Sequence, residues 1–228
     1  MRISCIIPTY NEAARIGDVL KAVSGHPLVE ECIVVDDGSK DDTEKIVARY
    51  TDVRYVKHEI NRGKSVACVT GIRATTGEYL LFIDADLIGL APEDITALIT
   101  PVLSRRADVS ISLRGKTPWP WRVIGLDYIS GERVVPKSLV FPYLEKIERL
   151  PGFGLETFIN TLIIKNSQRI KVVSWPNVES PWKYHKHGKK GLLAKLKAEA
   201  PMFRDIFRTA SFPKILYMIT CMLNLRVK

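Results

Sequence analysis

The stretch GEYLLFIDADL, residues 77–87, is an apolar run that ends in two aspartates, Asp84 and Asp86. An uninterrupted apolar run of this kind is typical of a strand that is buried on both faces of a parallel sheet. Two like charges at the end of such a strand need a partner that neutralises them. A divalent cation, which carboxylate oxygens bind, can be that partner. The stretch therefore predicts a central strand with a charged binding site at its carboxyl end.

The segments on either side of this stretch alternate between strand and helix patterns. Their order favours an α/β fold with a mostly parallel sheet and helices on both faces. Ligands of such sheets bind beyond the carboxyl ends of the strands, so the polar residues after each strand form the candidate site. The segments are strands at 3–9, 30–39 and 53–58 and helices at 11–25, 41–50 and 63–77.

After Pro92 the alternation weakens, but elements can still be assigned. Periodicity and turn residues predict, in order, a helix at 92–107, a strand at 108–116, a stiff aromatic loop at 117–121, a short element with a glycine turn and a helix within 126–150, a helix within 152–168, and a strand at 170–178.

The composition allows one sizeable core and points to anionic ligands. The chain has 228 residues, of which 46% are hydrophobic and 26% are charged, as in a single folded domain. Its net charge of +9 favours phosphates, nucleic acid or an acidic membrane as partners. The four cysteines form no CxxC motif, which favours reduced thiols and a cytosolic chain. No apolar run reaches the roughly 18 residues of a membrane span, and the N-terminus has no signal-peptide pattern.

Polar clusters follow the predicted strands. They are PTYNE (8–12), VVDDGS (34–39) and DAD (84–86), and NRGKS (61–65) places Lys64 at a helix start. Glycine turns and helix N-termini bind phosphate through free N–H groups, and a lysine adds positive charge. The clusters together predict a nucleoside-diphosphate site. Taken singly, Asp36–Asp37 is also typical of a turn, and Asp41 or Asp42 of a helix cap.

These segments resemble those of the family 2 glycosyltransferases of the GT-A fold. The matching stretches are IIPTYNE (6–12), VVDDGSKDDT (34–43), NRGKS (61–65) and GEYLLFIDADL (77–87). More loosely, SGERVVPKSL (130–139) and GFGLETFIN (152–160) resemble segments of the branch that contains polyprenyl-phosphate sugar transferases and glucosyl-phosphoglycerate synthases. The resemblance implies a Rossmann-like GT-A domain over residues 1–182, with a nucleotide-sugar half at 1–100 and an acceptor half at 101–182.

The resemblance also implies roles for individual residues. Glu156 would be the base or a sugar-orienting carboxylate, with Asp86 as the second catalytic residue; a first-turn helix acid is the structural alternative for Glu156. The metal, Mg²⁺ or Mn²⁺, would be held by Asp86, Asp84 and His185, although His187 is also a candidate. The acceptor would be bound by Gly131, Arg133 and Arg114. The donor would be bound by Pro8, Tyr10, Glu12, Asp37, Lys64, Asp84 and Asp86.

The implied reaction moves a sugar from a nucleoside-diphosphate donor to a glycan, a lipid-linked acceptor or a small phosphorylated acceptor. UDP is favoured over GDP. A divalent ion would stabilise the departing diphosphate, and in the preferred inverting version a carboxylate would deprotonate the acceptor. Retention stays open, because the synthase-like branch includes retaining enzymes. Three alternatives remain: a nucleotidyltransferase, a basic nucleic-acid-binding protein and an inactive scaffold. The stretch PTYNEAAR stands where a nucleotidyltransferase has a glycine-rich loop, and the chain has no recognisable nucleic-acid-binding motif.

Residues 183–228 form a basic and amphipathic segment. The stretch WKYHKHGKKGLLAKLK (182–197) contains six lysines and no acidic residue, and apolar residues recur beyond it at helical spacing. This pattern predicts a C-terminal amphipathic helical tail that lies on an anionic membrane surface. The enzyme would then be cytoplasmic, at the inner face of the cell membrane, and would have a role in the cell envelope. Packing on its own domain or on a second subunit is the alternative, so an oligomer stays open. No nucleic-acid partner is expected.

Overall fold

A single mixed sheet organises the computed structural model, which describes residues 1–115, 117, 119–151, 154–180 and 211–227. Its strands lie in the order β3-β2-β1-β4-β6-β5-β7. β1 is parallel to β2 and β4, β2 to β3, and β5 to β7, whereas β6 is antiparallel to β4 and β5. The strands are β1 (Ile3–Thr9), β2 (Glu31–Asp36), β3 (Val53–Lys57), β4 (Tyr79–Phe82), β5 (Val109–Arg114), β6 (Arg133–Pro136) and β7 (Ile170–Trp175). The predicted mostly parallel α/β sheet is confirmed.

Helices cover both faces of this sheet. Because side chains alternate along a strand, Ile6 of β1 joins one apolar cluster while Cys5 and Ile7 join the other. Helices α1 and α4 pack in the second cluster, and α3 and α8 pack in the first. The helices are α1 (Ile16–Val23), α2 (Thr43–Val47), α3 (Lys64–Ala74), α4 (Pro92–Leu103), α5 (Trp119–Ile124), α6 (Lys137–Val140), α7 (Leu144–Glu148), α8 (Gly154–Lys165) and α9 (Phe212–Asn224), with a 3-10 turn at Phe141–Tyr143.

Three elements differ from the sequence prediction. The strand that was expected to include DAD ends at Phe82, so both aspartates lie in the loop beyond β4. The aromatic loop predicted at 117–121 is wrong in part, because α5 begins at Trp119. The short element before Pro136 is strand β6, which inserts between β4 and β5 and makes the sheet mixed. Antiparallel insertion depends on a long-range pairing that local periodicity does not reveal.

Helix α9 packs on the domain. Its residues Ile215, Met218, Ile219 and Met222 are buried in the same cluster as α8, and the Ile170 N–H donates to the Leu225 carbonyl at 2.9 Å. The end of the predicted tail is therefore part of the domain core, as in the alternative that the sequence left open. The boundary at residue 183 and the lysine-rich stretch lie outside the described residues.

None of the helices in the described ranges has the length and apolar character that crossing a bilayer requires. The cysteines carry free thiols: Cys5, Cys32 and Cys68 are buried, and Cys221 is partly buried. The prediction of reduced thiols agrees with this arrangement.

Candidate active site

A cleft of about 450 Å³ opens at the carboxyl ends of β1, β2 and β4. The segments converge there because β1 lies between β2 and β4, so the chain leaves three adjacent parallel strands at one edge of the sheet. Every residue predicted on the donor side lines this one cleft: Pro8, Tyr10, Glu12, Asp37, Lys64, Asp84 and Asp86.

The loop after β2 holds the loop after β1 in place. Asn11 has a positive φ of 55° and donates its N–H to Ser39 Oγ at 2.8 Å. The Ala13 N–H donates to Asp41 Oδ2 at 3.0 Å. Burial would raise the pKa of the Asp41 carboxyl, but its hydrogen bonds lower it below the ordinary value. Asp41, one of the two residues predicted as a helix cap, thus ties the two loops together, while Asp42 is the N-cap residue of α2.

Asp37 holds the turn that precedes α3. Its Oδ1 accepts the Arg62 N–H at 2.9 Å, and its Oδ2 accepts the Gly63 N–H at 2.6 Å. Gly63 has a φ of 97°, a conformation that residues with a β-carbon rarely adopt. Since Lys64 follows directly as the first residue of α3, Asp37 fixes the turn that carries Lys64. The predicted contact of Asp37 with the base or ribose stays a prediction.

Lys64 joins two carboxylates across the cleft. Its Nζ lies 2.7 Å from Asp84 Oδ1 and 2.9 Å from Glu156 Oε1. Burial would lower the pKa of the Lys64 ammonium, but the charges of Asp84 and Glu156 raise it well above its ordinary value. Burial would raise the pKa of the Asp84 carboxyl, and Lys64 instead lowers it. The three groups form one charged unit in which the lysine neutralises its neighbours.

Glu156 reaches this unit from the first turn of α8. Its side chain is buried, and its Oε2 has no hydrogen-bond partner among the described residues. A buried carboxylate oxygen without a partner costs free energy, so its retention marks a place where a ligand can donate a hydrogen bond or a proton. A small cavity beside it is lined by Lys64, Asp84, Gly131 and Arg133.

The absence of a side chain at Gly131 leaves room for the Asp84 carboxylate. A β-carbon at position 131 would lie 2.7 Å from both carboxylate oxygens of Asp84, which is closer than van der Waals contact allows. The predicted acceptor contact of Gly131 stays a prediction, and the structure adds a steric reason for glycine at this position.

Arg114 lies behind the cleft in a buried charged cluster. Its guanidinium donates to Glu132 Oε1 at 3.3 Å, to Asp127 Oδ2 at 3.4 Å and to the Ser180 hydroxyl. Burial would lower the pKa of Arg114, but Glu132 and Asp127 raise it. Burial raises the pKa of the Glu132 carboxyl, although Arg114 opposes this. Because protein carboxylates already bind the Arg114 side chain, its predicted contact with the acceptor stays a prediction.

Arg133 is buried at the start of β6, with 1% of its surface exposed. Its Nε and Nη2 donate to the Ser130 carbonyl, and its Nη1 donates to Asn160 Oδ1 at 3.0 Å. Burial lowers the pKa of this guanidinium. These contacts tie β6 to α8 and thereby position Glu156, whereas an acceptor contact by Arg133 stays a prediction.

The chemistry of Asp84 and Asp86 fits a divalent cation. Both supply carboxylate oxygens, the ligands that Mg²⁺ and Mn²⁺ prefer, and both face the open cleft. Within the described part of the chain, no three His, Cys, Asp or Glu side chains converge as a metal cage. The predicted third ligand, His185, and its alternative His187 lie outside the described residues. Two carboxylates at an open cleft fit a cation that shares its coordination with a diphosphate.

Sequence reasoning missed the groups behind the cleft wall. They are Asp127 and Glu132, which are buried, and His58, which is partly buried, and each contacts a predicted site residue. A charged residue inside an apolar strand pattern, as in SGERVV, was the available signal for Glu132. For His58 no sequence pattern pointed to its partner.

Comparison with known proteins places the chain in a family. The family model described as Glycosyl transferase family 2 matches residues 4–169. A glucosyl-3-phosphoglycerate synthase of Mycobacterium tuberculosis is 38% identical over 111 residues, which are 45% of this chain and 34% of that protein. A dolichyl-phosphate beta-glucosyltransferase of Dictyostelium discoideum is 36% identical over 99 residues, 37% of this chain and 30% of that protein. The chain thus spans about a third of the length of these relatives.

A solved structure shares the fold over most of the chain. The crystal structure of the Mycobacterium tuberculosis glucosyl-3-phosphoglycerate synthase with Mn²⁺, uridine diphosphate and glucosyl-3-phosphoglycerate matches with a TM-score of 0.67 and 24% identity. The match covers 91% of this chain and 79% of that one. A second crystal structure of that enzyme, with Mg²⁺ and uridine diphosphate, matches with a TM-score of 0.68 and 23% identity. The expected GT-A fold is confirmed.

Proposed function

The chain belongs to glycosyl transferase family 2, and on that premise we propose that it is a metal-dependent glycosyltransferase. It moves a sugar from a nucleoside-diphosphate sugar, with UDP-glucose as the favoured donor, to a phosphorylated acceptor. The observation that carries this proposal is the convergence of all seven predicted donor-side residues on one cleft. A nucleotidyltransferase is disfavoured, because PTYNE, at the end of β1 and the start of the loop after it, stands in place of a glycine-rich phosphate loop.

Each part of the cleft has a task in this reaction. Asp86 and Asp84 would hold Mg²⁺ or Mn²⁺, which supplies Lewis-acid stabilisation of the departing diphosphate. Lys64 places a second positive charge beside them and neutralises charge that develops on the phosphates. Glu156 accepts the proton of an attacking hydroxyl in the inverting version, which we prefer. Where the acceptor is itself a phosphate, no such proton needs removing, and Glu156 orients the donor sugar.

The relatives support an acceptor that carries a phosphate. The mycobacterial synthase was crystallised with UDP-glucose and phosphoglyceric acid, and the Dictyostelium relative is named for dolichyl phosphate. The net charge of +9 on this chain suits an anionic acceptor of either kind. A small phosphorylated acceptor and a lipid phosphate therefore both lie within the proposal.

Thermal unfolding with sugar nucleotides tests the donor site directly. Ligand at about 100 times its Kd stabilises a folded protein by about 2.7 kcal/mol, which for a domain of this size raises Tm by roughly 5–10 °C. We expect this rise with UDP and Mn²⁺ together, and its metal-dependent part should vanish in Asp86→Asn. If no nucleotide raises Tm while RNA binds in a salt-sensitive manner, the nucleic-acid alternative replaces this proposal.

We also propose that the protein binds an anionic membrane surface through α9 and the lysine-rich segment before it. The outer face of α9 exposes Phe212, Leu216 and Tyr217, while its inner face packs on the domain. Apolar side chains beside a basic segment are typical of interfacial binding. This attachment would place the cleft beside a lipid-linked acceptor.

Sedimentation with anionic liposomes tests the membrane proposal. The double variant Leu216→Ser and Tyr217→Ser removes exposed apolar groups without touching the buried face of α9. We expect the bound fraction to fall several-fold at equal lipid concentration. Val123→Ser, which alters an equally apolar and 78% exposed residue of α5, is the matched control and should bind as the wild type does. Equal sedimentation of all three proteins contradicts the proposal.

A further inference from the structure

His58 lies directly behind the cleft, one residue beyond β3. Its N–H donates to the Asp36 carbonyl at 2.8 Å, which fixes its backbone to the end of β2. Its side chain is 9% exposed, and its ring has two partners: Nδ1 lies 2.8 Å from Asp37 Oδ1 and Nε2 lies 2.9 Å from Thr70 Oγ1. The ring therefore bridges the Asp37 carboxylate and helix α3 without lining the cleft itself.

The protonation pattern of the ring follows from its partners. An ionised carboxylate only accepts hydrogen bonds, so Nδ1 must carry the proton that is shared with Asp37. The Thr70 hydroxyl can donate to a bare Nε2 or accept from a protonated one, so it suits both charge states of the ring. His58 thus always donates to Asp37, and the contact is a charge-assisted hydrogen bond.

This contact matters because the Asp37 carboxylate accepts hydrogen bonds both from the His58 ring and from the turn that precedes α3. The same Oδ1 that meets His58 also accepts the Arg62 N–H, and Oδ2 accepts the Gly63 N–H. If the carboxylate rotates, both N–H groups lose their partner, and the turn that carries Lys64 into the cleft is released. The hydrogen bond from the His58 ring to Oδ1 opposes this rotation.

We propose that His58 is a positioning residue that sets the affinity of the cleft for the nucleotide of the donor. It acts through Asp37 on the turn at 61–63 and touches neither donor nor acceptor. The proposal rests on the proposed function, since it assumes that this cleft binds a nucleoside diphosphate. Loss of the His58–Asp37 contact should weaken nucleotide binding and raise the KM for the donor by a larger factor than it lowers kcat.

Two polar substitutions separate the two contacts of the ring. The amide nitrogen of asparagine lies the same number of bonds from Cα as Nδ1, and that of glutamine the same number as Nε2. His58→Asn thus keeps a donor for Asp37, whereas His58→Gln keeps only the contact with Thr70. We expect the Kd for UDP with Mn²⁺, measured by calorimetry, to stay within about threefold of the wild type in His58→Asn. It should rise about tenfold, equivalent to about 1.4 kcal/mol, in His58→Gln.

Hydrogen exchange at two backbone sites gives a readout that is independent of nucleotide. The amide protons of Arg62 and Gly63 should exchange faster in His58→Gln than in His58→Asn, because only the asparagine variant holds Asp37 in place. Faster exchange confined to these two amides distinguishes positioning from general destabilisation. Thr70→Val, which removes only the second partner of the ring, is the matched control and should leave both measurements near the wild type.

The outcomes separate this inference from the proposed function. Equal UDP affinity in both His58 variants, or weaker binding by His58→Asn than by His58→Gln, overturns the positioning role. A wild-type protein that binds no nucleoside diphosphate overturns the proposed function, whatever the exchange data show. Should the variants bind too weakly to measure, the exchange rates at Arg62 and Gly63 still decide whether His58 holds the turn.

Discussion

Replacing Lys64 with methionine should weaken donor binding and transfer by at least about a hundredfold. The substitution keeps an unbranched side chain but leaves Asp84 and Glu156 without the ammonium that lies within 3 Å of each. Removing one partner of a buried charge pair costs about 3–5 kcal/mol. Because Lys64 is 34% exposed and Asp84 is 25% exposed, we expect a smaller loss of unfolding free energy, about 2 kcal/mol.

The pH dependence of this loss identifies its cause. Lys64 lowers the pKa of Asp84 in the folded state, so the pair contributes stability above the unfolded-state pKa of Asp84, which is about 3.9. That contribution disappears as pH falls through the lower folded-state value. The difference in unfolding free energy between wild type and Lys64→Met should therefore be largest near neutral pH and should shrink below about pH 4.

Two controls make the Lys64 result specific. Lys45→Met removes a lysine of α2 from an exposed pair with Asp42 and should change neither stability nor transfer. The double variant Lys64→Met and Asp84→Asn removes one of the two negative charges that lose the ammonium, so part of the lost stability should return. A loss that is independent of pH and unrelieved by Asp84→Asn would mean that Lys64 acts through packing.

The donor half of the site was predictable because its residues follow parallel strands that alternate regularly with helices along the chain. PTYNE and VVDDGS overlap the ends of β1 and β2, DAD follows the end of β4, and parallel neighbours bring such ends to one edge of the sheet. The prediction needed no side-chain geometry to place Asp37 and Asp84 on the same wall. The apolar run at 79–82 also identified β4 correctly as a buried central strand.

The acceptor half was less predictable because it depends on an antiparallel strand that interrupts the alternation of parallel strands and helices. Strand β6 runs antiparallel between β4 and β5, and this pairing places Gly131 against the Asp84 carboxylate. Nothing in SGERVV specifies that neighbour. Likewise, the amphipathic pattern of α9 fits a membrane surface and a protein core equally well, and only its contacts with α8 show that one face is buried.

Replacing Glu156 with glutamine should reduce transfer about a thousandfold while donor binding stays nearly constant. Glutamine keeps the shape of the side chain, and its amide oxygen can still accept the hydrogen bond that Lys64 donates to Oε1 at 2.9 Å. What disappears is the negative charge and the proton-accepting Oε2, which has no partner within the described ranges. Positioned acid–base groups contribute about 10²–10⁴ to rate, so the loss should fall on kcat.

The split between kcat and donor affinity decides the role of Glu156. Glu148→Gln is the matched control, because Glu148 on the neighbouring α7 pairs with Arg73 away from the cleft and should leave both constants unchanged. If donor affinity falls together with kcat in Glu156→Gln, the carboxylate binds and orients the donor sugar. That result would also favour a phosphate as the acceptor, because a phosphate attacks without a base. An unchanged donor affinity would instead favour an acceptor hydroxyl whose proton Glu156 removes.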